Sequence, residues 1–411
     1  MTPPRVRFPP TSLPRTPAGS NHEIGGVVSA STEIEDAVES IRLVDHHVHG
    51  ALKTTLTREQ FEEVMTESNR ARRPGTTNFD TQLGLAIRRW CAPLLDLDAF
   101  VDPETYLQRR AELGADEVNR RLLRAAHLDT VLVDTGFAAE NLLDVDQMRE
   151  FAGAKSFEVV RLEEVAENVV RSGTTAQGFG DAFRSALEQR LSSGAVATKS
   201  IVAYRYGLDV AHERPLEGDV ARAMGQWLGD VEASKTVRIV DPVLLSFLLW
   251  SGIDAQLPLQ IHTGYGDSDL DIIRSNPAYL TDFLRAAEPF GTAVVLLHCY
   301  PYQREAAYLA QMFPNVYFDI GEAISHSGVQ SRQLIAESFE IAPFYKQLYS
   351  SDGWGLAEFH FLGARLWRNG VSEILSRWVE AGQCSQADAT QIATKVGRQN
   401  AIDLYQLDSS S

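Results

Sequence analysis

"LVDHHVHG", residues 43–50, sets three of the chain's ten histidines within four positions, directly after a short apolar run and an aspartate. On a strand His47 and His49 are two apart and project from one face. Paired imidazoles at a strand end suit a metal ion. A polar turn after a buried strand is the plainer alternative, and what the other strands carry decides between them.

From residue 33 onward, short apolar runs rich in β-formers alternate with longer amphipathic stretches. The strand candidates are 41–47, 128–136, 156–163, 195–205, 257–264, 293–300, 315–322 and 346–353. Several are apolar throughout, as in parallel strands buried on both faces. Helix-like segments such as "DEVNRRLLRAAH" and "NPAYLTDFLRAAEPFG" lie between them. Eight β-then-α units in a chain of 411 residues predict an α/β fold, a (β/α)8 TIM-like barrel. A doubly wound open sheet is the main rival. About eighty residues separate the first two strands, far more than an ordinary βα loop. They predict a helical insertion, about 51–127, capping the barrel mouth, within a single domain spanning 33–411. Residues 1–32 are expected to be a disordered tail, since 1–22 hold six prolines, three arginines and no acid.

Composition narrows the function. A net charge of −17 disfavours nucleic acid and anionic membrane as partners. No apolar stretch reaches the ~20 residues of a membrane span, and no secretory core stands at the N-terminus. Three cysteines, Cys91, Cys299 and Cys384, lack CxxC spacing and fit reduced thiols, so a cytoplasmic location is expected. The expected partners are a small-molecule substrate and further copies of the chain, as a dimer or larger homo-oligomer.

In a (β/α)8 barrel the site gathers at the C-terminal ends of the strands. Strand one ends with His47 and His49, strand five with His262, strand six with His298 and strand eight with Asp352. Each alone fits a core or turn residue. Jointly they form a donor set for a divalent cation, Zn²⁺ foremost and Mn²⁺ as the alternative, one or two per chain. Lys199 on strand four is out of place as an ammonium beside a cation. Either it pairs with an acid, or its amine has taken up CO₂ and bridges two metals as a carbamate. Counting charges favours the carbamate, because two divalent ions need anions between them. Arg205 and Tyr204, where strand four meets its loop, could clamp a substrate carboxylate. Arg304 with Glu305 after strand six, Glu322 and His326 after strand seven, and His360 after strand eight are further candidates for the pocket or its support. Asp45 and His46 fit a supporting role, and Cys299 should point away from the site.

The combination of HxH on strand one with Lys199, His262, His298 and Asp352 resembles the binuclear amidohydrolase superfamily. "QIHTGYGDSDLDIIRSNPAYL", "LLHCYPYQREAAYLA", "NVYFDIGE" and "SSDGWG" are similar to the FluG-type amidohydrolase-2 group, a module found fused to, or beside, glutamine-synthetase-like enzymes. The resemblance covers roughly residues 35–405, and no synthetase half is expected here. It implies a distorted barrel with His47 and His49 on one metal and His262 and His298 on a second. Lys199 would be the bridge and Asp352 the metal-bound base, so Asp352 and His298 are the catalytic candidates.

The activity implied is hydrolysis of an amide C–N bond, on a small carboxylated substrate such as a γ-glutamyl amide. Two other readings compete with it. One is non-oxidative decarboxylation at a single metal, because decarboxylases of the wider group generally lack the bridging lysine. The other is a non-catalytic scaffold, which an intact ligand set argues against.

Overall fold

The computed structural model describes residues 30–138 and 140–407. The tail expected at 1–32 lies outside the described residues except for its last three, which begin the helix Ala30–Ser40.

Seven parallel strands follow one another in chain order around a curled sheet. They are β1 (Leu43–Val48), β2 (Leu128–Asp134), β3 (Lys155–Arg161), β4 (Ala197–Ser200), β5 (Leu259–Thr263), β6 (Val294–His298) and β7 (Val316–Phe318). β1, β4, β5 and β6 are buried along their whole length, so the polar residues they carry, Asp45, Lys199 and Gln260 among them, are buried with the apolar ones. Val44, Leu132, Val159, Val295 and Leu297 form a core of their own with Tyr405 and Leu407 from the C-terminal helices. The strand–helix layer holds the larger core. The α/β barrel-type fold expected from the sequence is present.

The eighth strand is a correction. Residues 346–353 fill its place without forming a regular strand. Leu348 N donates to Phe318 O on one side, at 3.0 Å, and Asp352 N donates to His47 O on the other, at 3.2 Å. His46 N also donates to Tyr349 O at 3.3 Å, but at Ser351 a side chain interrupts the ladder. The Asp45 carboxylate accepts from Ser351 N at 2.9 Å and from Ser351 Oγ at 2.6 Å, taking groups that a ladder would use. Asp352 then turns into the left-handed region, φ 49°. The strand expected at 195–205 is also shorter: it ends at Ser200, and Val202–Arg205 is a helical turn. Buried Glu163 accepts both Ser200 Oγ, at 2.6 Å, and Ile201 N, at 2.9 Å, which diverts the chain.

Between β1 and β2 lies the helical insertion, with helices Arg58–Val64, Gln82–Ala86, Pro103–Leu113 and Ala115–Ala125. Thr57 and Gln60 form a capping box at its first helix. Buried Glu62 pins the loop that follows, accepting from Thr77 Oγ1 at 2.8 Å, Asn78 N at 2.7 Å and Arg58 Nε at 2.9 Å, with Arg72 NH1 at 2.8 Å. That loop lies along the pocket described next. Among the described residues no helix is long and apolar enough to cross a membrane.

Candidate metal centre and its pocket

A cavity of about 920 Å³ opens at the C-terminal ends of the strands. His49, Lys199, His262, His298 and Asp352 line it from the barrel, and residues 66–76 of the insertion line it from above.

On its floor Asp352 Oδ1 lies 3.3 Å from His47 Nε2 and 3.7 Å from His49 Nε2, and Asp352 Oδ2 lies 3.3 Å from His298 Nε2. His47, His298 and Asp352 each offer one donor atom within 4.8 Å of the others, and so do His47, His49 and Asp134.

The orientation of each imidazole is set from behind. His47 Nδ1–H donates to Gln260 Oε1 at 2.8 Å, and His49 Nδ1–H to the Asp134 carbonyl at 3.2 Å, leaving both Nε2 atoms as acceptors toward the pocket. Gln260 is fixed in turn, donating from Nε2 to His46 O at 2.8 Å and to Tyr405 Oη at 3.0 Å. Asp319 Oδ1 accepts from His298 N at 2.8 Å and Gly321 N at 2.7 Å. Its other oxygen lies 2.8 Å from His46 Nε2. The backbone is strained where the donors converge: His298, Cys299 and Asp352 all have positive φ, at 70°, 59° and 49°.

Electrostatics keep the imidazoles neutral, the form a metal ligand needs. Burial, then the Lys199 ammonium, hold His47 well below its ordinary pKa, and burial takes His49 down to about 4. Burial, then His262 and Lys199, do the same to His298. Burial lowers Lys199 to about 8 and raises Asp352 to about 6, the latter opposed by His49 and Lys199. Asp134 differs: burial would raise it, but Arg161 and then His49 hold it well below the usual carboxylate range.

The donor set fits a divalent cation. Both His298 ring nitrogens and Asp352 Oδ1 are buried without a hydrogen-bond partner among the described residues. Buried polar atoms left unpaired in this way are costly, and a cation would take up the acceptors among them, the unprotonated His298 nitrogen and Asp352 Oδ1. Lys199 Nζ sits 3.1 Å from His47 Nε2, and no carboxylate of the described residues pairs with it.

His262 is placed differently from the rest. Its ring is 4.8 Å from that of His298, yet its Nε2 lies 2.9 Å from the Tyr265 carbonyl and it joins neither donor group.

Of the expected substrate residues, Tyr204, Arg205 and Glu322 line the pocket. Tyr204 Oη rests against Gly266, where any side chain would collide with it. Arg205 lies 3.2 Å from Glu167, while its Nε and NH1 have no hydrogen-bond partner.

Two expectations need correction. Arg304 points outward from the helix Gln303–Met312, its guanidinium bound to Glu340 at 2.8 Å and 3.0 Å. His360 is buried beneath the Asp352–Gly353 turn, and its ring sits 2.5 Å from where a Gly353 Cβ would be. It supports the turn and does not line the pocket.

Asp134, Arg161, Gln260 and Glu67 were missed by the sequence reading. Asp134 and Arg161 end β2 and β3 and obey the strand-end rule that singled out the histidines. Gln260 is a polar residue two before His262 on the same face of an apolar strand. Glu67, in the insertion, carries no sequence signal.

The amidohydrolase family model matches residues 248–407, a span that includes His262, His298, Glu322 and Asp352. The chain is 27% identical to the protein fluG of Emericella nidulans over 416 residues, covering 92% of this chain and 47% of that protein. It thus spans about half the length of the curated relative it matches. A solved structure from Lactobacillus casei ATCC 334, described as a metal-dependent hydrolase, is 28% identical, with a TM-score of 0.81 over 92% of this chain and 98% of that one. A uronate isomerase from Thermotoga maritima, 14% identical, has a TM-score of 0.60 over 92% of this chain and 97% of its own, and shares the fold. The amidohydrolase resemblance carried by the motifs is borne out.

Proposed function

We propose that this chain is a metal-dependent hydrolase that cleaves the amide C–N bond of a small carboxylated substrate, a γ-glutamyl-type amide. One observation carries the reading: His47 and His298 each lie 3.3 Å from an Asp352 carboxylate oxygen on the pocket floor, with buried polar atoms that a cation would satisfy. The amidohydrolase match and the likeness to a protein described as a metal-dependent hydrolase support it. His47, His49, His298 and Asp352 would hold the ion, with Asp134 and Lys199 beside them. A divalent cation bound there supplies Lewis acidity, polarising a carbonyl oxygen and making water more acidic.

The chain's own residues do the remainder. Asp352, on the floor, takes the proton that water loses as its oxygen adds to the amide carbon. It returns that proton to the nitrogen as the C–N bond breaks, so a carboxylic acid and an amine leave. Arg205, with two guanidinium nitrogens unpartnered, and Tyr204 beside it hold the substrate's carboxylate. The loop at 66–76 shields the site from solvent.

Lys199 fits a carbamate, formed from its neutral amine and CO₂ with loss of one proton. Its amine is buried beside His47, a proposed ligand, and among the described residues no carboxylate lies within ion-pair distance. A second reading, decarboxylation at a single metal, draws on His262, whose Nε2 is engaged by the Tyr265 carbonyl and leaves a second ligand set short.

Elemental analysis of the purified protein and of His47→Ala, followed by a screen of N-acyl and γ-glutamyl amides, tests the proposal. Metal-dependent release of amine, lost with the metal in His47→Ala, is expected. Release of CO₂ from a carboxylated substrate without amine would overturn amide hydrolysis.

A further inference from the structure

A second cluster touches the same pocket. Glu67 from the insertion, Glu322 after β7 and His326 each bring one donor atom within 4.8 Å of the others. His326 Nε2 lies 3.6 Å from Glu67 Oε1, and its ring is flanked by Tyr265 at 5.5 Å and Phe359 at 5.3 Å. Glu322 is only 5% exposed, and its Oε2 has no hydrogen-bond partner among the described residues. Glu67 Oε1 is likewise buried and accepts no hydrogen bond. No lysine or arginine of the described residues pairs with either carboxylate, although both line the pocket. Two adjacent buried carboxylates facing a cavity repel each other and are stabilised by a cation arriving between them.

We propose that Glu67 and Glu322 receive the ammonium group of a zwitterionic substrate, with the His326 ring lying alongside Glu67. An ammonium is matched to this corner because it carries three donors and no acceptor, and every free atom there accepts. The cavity also carries the opposite charge. Arg205 offers its unpartnered nitrogens, so one ligand bearing both an ammonium and a carboxylate satisfies both groups at once. The inference deepens the amide-hydrolase reading and rests on it for the substrate class: an amino-acid amide rather than a simple dicarboxylic monoamide.

The test is calorimetric binding to the metal-loaded protein of two ligand pairs that differ only in the α-ammonium. These are L-glutamine against glutaramate, and L-asparagine against succinamate. In at least one pair the ammonium-bearing member should bind tighter by about tenfold or more, the factor that one charged hydrogen bond contributes. Glu67→Gln and Glu322→Gln should each abolish that preference while metal content stays unchanged. Equal affinity within both pairs, no measurable binding of either amino acid, or a preference that survives both variants would overturn it. So would a Mn²⁺ titration showing an extra ion per chain that disappears in Glu67→Gln, which would make the corner a metal site. If discrimination holds but no amide is cleaved, the hydrolase reading fails and the ammonium site stands.

Discussion

Lys199 is where a single side chain decides the chemistry. Its amine is buried 3.1 Å from His47 Nε2, and no carboxylate of the described residues lies within ion-pair distance of it, although Asp134 and Asp352 act on it from farther away. A cation beside a poorly solvated ammonium would be repelled, whereas a carbamate offers an anion between two cations. Lys199→Ala should therefore lower the metal content from about two per chain to one or fewer. Added bicarbonate or a short carboxylate should restore part of it. The readout is elemental analysis of both proteins after the same dialysis. Should wild type hold one tightly bound ion that Lys199→Ala keeps, the bridge is gone. Lys199 would then join Arg205 in a carboxylate pocket, and decarboxylation would draw level with hydrolysis.

At the scale of elements, the segment 346–353 shows how an irregular strand is held in place. Its turn carries Asp352 at positive φ and leans on the His360 ring through Gly353, in the first turns of the helix Ala357–Glu380. His360 is fully buried, and burial, then His49, take its pKa down to about 3. Because the unfolded chain binds this proton near 6.5 and the folded chain does not, folding stability is full above about 6.5. It falls as pH drops from there toward 3. The slope in that window is about 1.4 kcal/mol per pH unit for one proton. Replacing His360 with glutamine should remove one proton's worth of slope from urea-melt stabilities between pH 4 and 6. An unchanged slope would mean that His360 is solvated or titrates normally.

For the whole molecule, the question is whether the insertion is a separate unit. Arg110, on the insertion helix Pro103–Leu113, donates to Glu358 at 2.6 Å and 3.2 Å, and Tyr106 Oη donates to the same carboxylate at 2.7 Å. Both Arg110 and Glu358 are buried, so this clip joins the cap to the longest barrel helix. Removing one partner leaves an uncompensated buried charge, which costs about 3–5 kcal/mol. Glu358→Ala should lower the unfolding free energy by that amount and retain a single calorimetric transition, as one cooperative unit does. Two separated transitions would show that the insertion melts by itself and would divide the domain that the sequence suggests.

The amino-acid sequence by itself determined the barrel and most of the His/Asp donor set at its mouth. Short apolar runs alternating with amphipathic stretches marked the parallel strands, and a histidine or aspartate closing such a run falls at the strand's C-terminal end. That is local information, carried by alternation and by residue type. Tertiary structure decided what depends on partners distant in the chain. The Tyr265 carbonyl engages Nε2 of His262, Glu340 draws Arg304 outward, and Asp45 takes the Ser351 N–H that an eighth strand would have used. Glu67 reaches the pocket from the insertion loop, which buried Glu62 ties back at Thr77 and Asn78. Periodicity reports which way a residue faces. Whether its polar atoms are already satisfied depends on neighbours that only the folded chain brings within hydrogen-bond distance.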